Sequence, residues 1–342
     1  MGTFKRSQAK YVKQSYQTTN WPEYEAGLRQ RGSLTVWISE EELKGWGPPE
    51  RGQRRPGGQQ RYSNHAIETA LTVGMVFHLR LRQTEGFLQS LFTLLDLNCR
   101  APDHTTISRR ARRLGKLPIG SAAGRRPVHI LVDSTGLSIH VGKLRKPPKN
   151  RHWRKLHVAV NALTGKVVAC DVTSKSARDA SRVPALLKQI ESPLVSVRAD
   201  GAYDQEAVYE AVENHTATRS PRVLIPPQRS AQLKPEVAVL RERNRNIRSR
   251  ARLGRRAWHS KSGYSRRSMV ENTMYRYKAL IGRTMRSRTL QGQRLEARVG
   301  CRILNTMTAL GMPESHRGGA ESEPGLGRSE TGCELCTKTP AH

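Results

Sequence analysis

The sequence predicts an α/β chain, a mixed sheet flanked by helices, with a helical region before it. Three observations carry this. From Tyr62 to Leu114 apolar residues recur at helical spacing. At Val128 the period changes to that of strands, with three extended segments in a row. After Asp179 helices and strands alternate, and consecutive strands followed by alternation indicate a mixed, helix-covered sheet.

Residues 1–60 hold apolar and aromatic residues from Trp21 to Ile38 and Trp46, enough for a small packed piece; Gly45 to Gly58 has the Gly, Pro and Arg content of a linker. Residues 61–120 read as three helices. Ser63 is placed to cap the first, which runs through Ile67, Leu71, Met75 and Leu79. The second follows Thr84, with Phe87, Leu88, Leu91, Leu94 and Leu95 on its apolar side. Pro102-Asp103 opens the third, Thr/Ser-rich at its start, Arg-rich at its end (Arg109, Arg110) and stopped near Gly115. The trio resembles a helix-turn-helix module, in which the start of the last helix reads base edges and arginines meet phosphates; the alternative is a bundle with a charged outer face.

The sheet region, 126–285, begins with a strand from Val128 to Ile139, with a turn or bulge expected near Gly136. Lys143 to Lys155 is a basic loop, and Leu156–Val160 with Lys166–Val172 reads as a hairpin around Asn161–Gly165. A helix from Asp179 to Ile190, a strand from Leu194 to Ala199, a helix from Gln205 to Asn214 and a strand from Arg222 to Ile225 follow. The order is β-β-β-α-β-α-β. Residues 228–263 then interrupt with a run of arginines, Arg243, Arg245 and Arg248 among them, ending in Trp258 and His259. The run reads either as a disordered linker or as a flexible loop that orders on DNA. Tyr264 to Lys278 is an amphipathic helix on which Arg267, Glu271 and Lys278 fall within about 40° of one another. A last helix from Arg294 to Leu310 lies in 286–312; residues 313–342 have the composition of a disordered tail, where Cys333 and Cys336 have zinc-ligand spacing without a second pair.

The 342 residues carry 60 Lys+Arg against 28 Asp+Glu, a net charge of +32, which calls for a polyanionic partner, nucleic acid before any membrane surface. No apolar run is long enough to span a bilayer, the N-terminus lacks the apolar core of a signal peptide, and five scattered cysteines fit a reducing cytoplasm. Against that cationic background three acids stand out: Asp133 and Asp200 in strand contexts and Glu271 on the amphipathic helix. Strand ends in an α/β sheet are where ligand groups converge. Three carboxylates from separate elements can hold divalent cations for an in-line phosphoryl displacement, and Mg²⁺ suits such a site. Asp171, Asp179 and Asp204 are nearby rivals, and Asp133 and Asp200 could equally serve local turns.

These residues resemble the three acid motifs of bacterial insertion-sequence DDE transposases, most nearly the insertion-sequence-five group. The segments are Val132-Asp-Ser-Thr-Gly136, Ala199-Asp-Gly-Ala-Tyr203 and the spaced set Tyr264, Arg267, Glu271 and Lys278; Trp153–His157 with Thr164-Gly165 is also similar. The resemblance implies an RNase H-like catalytic fold. It implies Mg²⁺ (or Mn²⁺ in its place) on Asp133, Asp200 and Glu271, with Tyr264, Arg267 and Lys278 contacting or organising terminal DNA. It further implies cleavage at transposon ends, transfer of the 3′-hydroxyl into target DNA, a homo-oligomer on double-stranded DNA, and work on the bacterial nucleoid in the cytoplasm. Two other readings carry the same charge: a catalytically inactive DNA-binding derivative, and a general nucleic-acid binder without a metal site.

Overall fold

A computed structural model describes residues 15–48, 61–114, 118–119, 126–140, 153–215, 220–228 and 230–318. The linker beyond residue 48, the basic loop up to residue 152 and the Cys333/Cys336 pair lie outside the described residues. In chain order the elements are β1 (Ser15–Thr18), α1 (Trp21–Gln30), α2 (Leu34–Trp37), α3 (Glu40–Lys44), α4 (Asn64–Val76), α5 (Leu81–Leu94) and α6 (His104–Ala111). Then come β2 (Val128–Ile139), β3 (Trp153–Asn161), β4 (Val167–Ser174), α7 (Val183–Leu187), β5 (Leu194–Arg198), α8 (Glu206–His215) and β6 (Arg222–Leu224). The chain closes with α9 (Arg241–Lys261), α10 (Ser268–Leu280), β7 (Thr284–Met285), α11 (Leu290–Leu310) and β8 (Ser315–Gly318).

The sheet order is β4-β3-β2-β5-β6, with β7 pairing the far end of β2. The β2–β3 and β3–β4 pairs are antiparallel, and β2–β5 and β5–β6 parallel, so the expected mixed sheet and its element order are present. Alternation along β2 sorts its side chains: Ile130 and Val132 face a core with α7 and α8, while Leu131 and Leu137 face one with α10 and α11. The strand runs through Gly136, opposite Lys155, without the expected bulge; the irregularity lies at Val128/His129, on the β5 side.

α4, α5 and α6 pack with Trp37, Ile38 and Trp46 of the N-terminal piece, and with Leu295, Val299, Ile303 and Met307 of α11, in one core. The other face of α11 (Ala297, Cys301, Leu304) closes the sheet core, so this helix is the wall shared by both. Ser63 caps α4 by accepting from Ala66 N–H, and Asp103 caps α6 by accepting from the amides of Thr105 and Thr106. α5 starts at Leu81 rather than after Thr84, because the Arg80 N–H is bonded by Gln83 and Thr84 is buried within the helix. Leu94 and Leu95, expected on the packed face, are 80% and 56% exposed: the helix ends there and carries its apolar pattern out of the core.

Two expectations fail for the same reason, that hydrogen bonds order polar segments. Residues 228–263 contain the 21-residue α9, kinked where Gly254 adopts φ 73°. It is anchored on its inner side: Asn246 donates to the Val223 carbonyl, Asn244 pairs with the Lys234 backbone, and the Arg250 guanidinium donates to the Pro227 carbonyl. Within the expected tail, Ser315–Gly318 pairs antiparallel with Ser15–Thr18, so this part is a strand. No described helix is long and apolar enough to cross a membrane.

Candidate active site

The parallel register of β2 and β5 sets Leu131 opposite Arg198. Two residues further along each chain, on the same face, come Asp133 and Asp200. α10 lies over that face through Val270, Met274 and Tyr277, and carries Glu271 in its first turn. Each aspartate commits one oxygen to backbone: Asp133 Oδ1 accepts from Ser134 N–H at 2.8 Å, and Asp200 Oδ1 from Ala202 N–H at 2.9 Å. The second oxygens turn to one guanidinium. Arg267 Nη2 donates to Asp133 Oδ2 at 2.9 Å and lies 3.8 Å from Asp200 Oδ2, while Nη1 donates to Glu271 Oε1 at 2.5 Å. Among the described residues these are the acids with which Arg267 pairs.

Burial is the main force raising the Asp133 carboxyl above the ordinary aspartate range; the Ser134 amide and Arg267 oppose it, and the Asp200 and Glu271 charges add to it. For Arg267 burial works against the charge, but Asp133, Tyr264 and Glu271 outweigh it and raise its basicity. The three carboxylates therefore feel one another and are held by a single cation.

A divalent metal belongs to the chemistry this constellation suggests. The donor set is of the right chemistry for a hard divalent cation: three carboxylates from three elements turn toward one positive charge. Their common point is taken by the guanidinium, and among the described residues no group of three His, Cys, Asp or Glu side chains, these three included, stands close enough to hold a metal.

The other candidates divide. Tyr264 is 8% exposed, its ring tilted against those of Trp258 and His259 at separations of 5.5 and 4.7 Å, and burial pushes its phenol up to about 12. It shapes the turn before Arg267 from beneath. Gly263, at φ 71°, starts that turn. Lys278 is half-buried and has no ion pair or hydrogen bond among the described residues. Arg109 is exposed, whereas Arg110 ties α6 to the start of α4 through the Tyr62 carbonyl and Asn64. Arg243 is drawn inward, 3.0 Å from Asp204, whose carboxylate is fully buried and also accepts from Tyr209 and Gln228. Arg245 and Arg248 stay exposed.

The rival acids are engaged elsewhere: Asp204 as above, Asp171 with Arg182 and Arg294, and Asp179 with Lys155 and buried His157. No sequence pattern singles out Arg198, the one charged residue of β5, which lies two residues before Asp200 on the same face.

Comparison with known proteins agrees with this geometry. A family model described as the transposase DDE domain matches residues 124–306, more than half of the chain, and a second of the same description matches residues 29–142. Among solved structures, a piggyBac transposase synaptic complex with hairpin DNA matches with 12% identity over 85% of this chain and 76% of that chain; its TM-score of 0.37 is too low to support a functional argument. With three acids gathered on one guanidinium, and a family match that spans them all, the chain belongs to the DDE transposases and is a transposition enzyme.

Proposed function

We propose that this transposase binds the terminal inverted repeats of an insertion sequence, cleaves the DNA ends and transfers the 3′-hydroxyl ends into target DNA. The observation that carries this reading is the convergence of Asp133, Asp200 and Glu271 on Arg267. The sheet, three antiparallel strands followed by two parallel ones, supports an RNase H-like catalytic fold. The spacing of Tyr264, Arg267, Glu271 and Lys278 supports an insertion-sequence-five-like group.

Asp133, Asp200 and Glu271 are the residues that would hold Mg²⁺ or Mn²⁺, which when bound supplies the charge neutralisation and Lewis acidity of an in-line phosphoryl displacement. Without it, Arg267 keeps the carboxylates facing one another. Its fork of donors also matches a phosphate, so the same side chain can pass from the acids to the scissile strand. Lys278, without an ion-pair partner among the described residues and about two turns along α10 from Glu271, is placed to steady the neighbouring strand. Along α9, Arg241, Arg245, Arg248 and Arg252 are all exposed and fall within about 60° of one another, a stripe suited to a phosphate backbone. Thr105, Thr106 and Arg109 at α6 are the candidate base-edge and phosphate contacts of the helical region, and a homo-oligomer on DNA, working at the nucleoid, completes the reading.

Single Ala substitutions at Asp133, Asp200 and Glu271 test it. Each should abolish Mg²⁺-dependent cleavage of end DNA in a single-turnover assay and leave duplex binding within a few-fold of wild type. Cleavage at the wild-type rate by any of the three removes that residue from the site.

A further inference from the structure

Beside the acids, on the same face of the sheet, lies a group of positive charges with no acid among them. The register places His129, Ser196 and Arg222 in one row across β2, β5 and β6, and Leu131, Arg198 and Leu224 in the next; Asp133 and Asp200 follow. Arg198 is 8% exposed. Among the described residues its guanidinium makes one hydrogen bond, from Nη1 to Ser196 Oγ at 2.9 Å, and its buried Nε has no partner. Ser196 Oγ is in turn 2.8 Å from His129 Nδ1. Among the described residues no carboxylate pairs with Arg198, and the charges that act on it, Arg266 and Arg222, are both repulsive. The guanidinium lies beneath the turn that carries Arg266 and Arg267: a Cβ on Gly263 would sit 3.8 Å from its Nη2. Arg266 and Arg222 are exposed.

A buried charge without a counterion is costly, and here two further cations make it costlier. No described element relieves that cost, and residues 216–219, which precede β6, contain no acid. An arginine that is nearly buried, with an open Nε and exposed arginines beside it, has the donor geometry for an oxyanion held by two N–H groups. In a chain that handles DNA the fitting oxyanion is a backbone phosphodiester.

We infer that Arg198, Arg266 and Arg222 form a second phosphate site beside the catalytic carboxylates, which takes a DNA backbone phosphate next to the one held at Asp133, Asp200 and Glu271. The inference rests on the proposed DNA-cleaving function. Its energetic logic is that of a site left incomplete in the free protein. The phosphate supplies the missing charge, Arg198 anchors it from below, and the two surface arginines close over it. Arg198 would then set the position of the scissile strand along β5 through the phosphate it grips, and be a positioning residue for the reaction.

The test is a salt titration of binding to a fluorescein-labelled duplex carrying the terminal repeat, together with thermal melting, on the full chain. Arg198→Met keeps the volume and removes the charge. It should melt no lower than wild type. Its duplex affinity should fall roughly 10- to 100-fold, as for loss of one charge-assisted hydrogen bond. The log K against log salt slope should shrink by about 0.9, one phosphate. Arg266→Gln, a surface change, should shrink the slope by a similar amount and keeps the test open if the Met variant fails to fold. Wild-type affinity and slope in both variants would overturn the second phosphate site while leaving the DNA-binding reading intact. A wild-type protein whose duplex binding does not depend on salt would overturn both. A lower melting temperature for Arg198→Met with an unchanged slope would make Arg198 a structural residue and overturn the inference.

Discussion

Replacing Arg267 with Gln removes the one cation that three carboxylates share. The contact with Asp133 dominates: both side chains are largely buried, at 18% and 13% exposure, and 2.9 Å apart. Glu271 is 57% exposed, and an exposed i,i+4 pair contributes at most a few tenths of a kcal/mol; Asp200, at 38% exposure and 3.8 Å, is intermediate. At an effective dielectric constant of about 20, the gross attraction at the Asp133 separation is roughly 6 kcal/mol. Desolvation of both groups cancels much of it, yet deleting one partner leaves the other buried and uncompensated, which costs about 3–5 kcal/mol. Asp133 can relieve part of this by taking a proton, since burial already raises its pKa. The expected loss at neutral pH is therefore about 3 kcal/mol, and less at acid pH, where the protonated carboxyl needs no partner. The further consequence is that added Mg²⁺ should replace the missing charge. Ligand binding to the folded state alone raises stability by mass action, so the variant should gain thermal stability with Mg²⁺ well beyond wild type, in which Arg267 already occupies the point the acids share. The assay is differential scanning calorimetry with and without Mg²⁺ at matched ionic strength. Equal stability of variant and wild type without Mg²⁺, or equal Mg²⁺ responses, would refute the reasoning.

His157 is fully buried, donates or accepts at Thr173 Oγ1, 2.8 Å away, and is pushed down to about 4 by burial, with Asp179 pulling the other way. The unfolded chain thus binds a proton that the native protein refuses between pH 6.5 and about 4, so its contribution is complete above 6.5 and is lost as pH falls through that window. By about pH 5 the loss is on the order of 2 kcal/mol, and His157→Gln should flatten that part of the stability–pH curve in urea melts. Arg243→Gln should cost about 3–5 kcal/mol of stability, because it leaves the buried Asp204 carboxylate unpaired. Arg245→Gln with Arg248→Gln should leave melting unchanged and reduce the salt slope of DNA binding by about 0.9 for each phosphate no longer neutralised. A melting drop confined to the Arg245/Arg248 pair would reverse these assignments.

The strands from β2 to β6 were legible because alternation and turn residues such as Asn161 and Gly165 mark them; Asp200 and Glu271 stood out as candidates by lying past a strand end and on an amphipathic face, whereas Asp133 lies in the middle of β2 and not at its end. α9 was not. Its inner side is made of Asn244, Asn246, Arg243 and Arg250, which bond to carbonyls and to a buried acid, so hydropathy reads the segment as a solvated run while hydrogen bonds fold it. Tyr264 was expected to contact or organise DNA, and its burial was not legible; its partners Trp258 and His259 come from the end of that same helix. Leu94 and Leu95 misled because helical periodicity continues past the last residue that packs, and Arg198 was invisible because nothing in a five-residue strand says which side chain lacks a partner.

The central claim is that Asp133, Asp200 and Glu271 form one metal-binding centre. Affinity cleavage tests it on the protein itself: Fe²⁺ substituted for Mg²⁺, with ascorbate and peroxide, cuts backbone next to the bound ion, and the fragments are mapped by mass spectrometry. The expected cuts fall around residues 133, 200 and 271 together, are suppressed by excess Mg²⁺, and disappear from all three places in Asp133→Ala. Cuts at only one of these segments, or a pattern unchanged in Asp133→Ala, would contradict a shared centre.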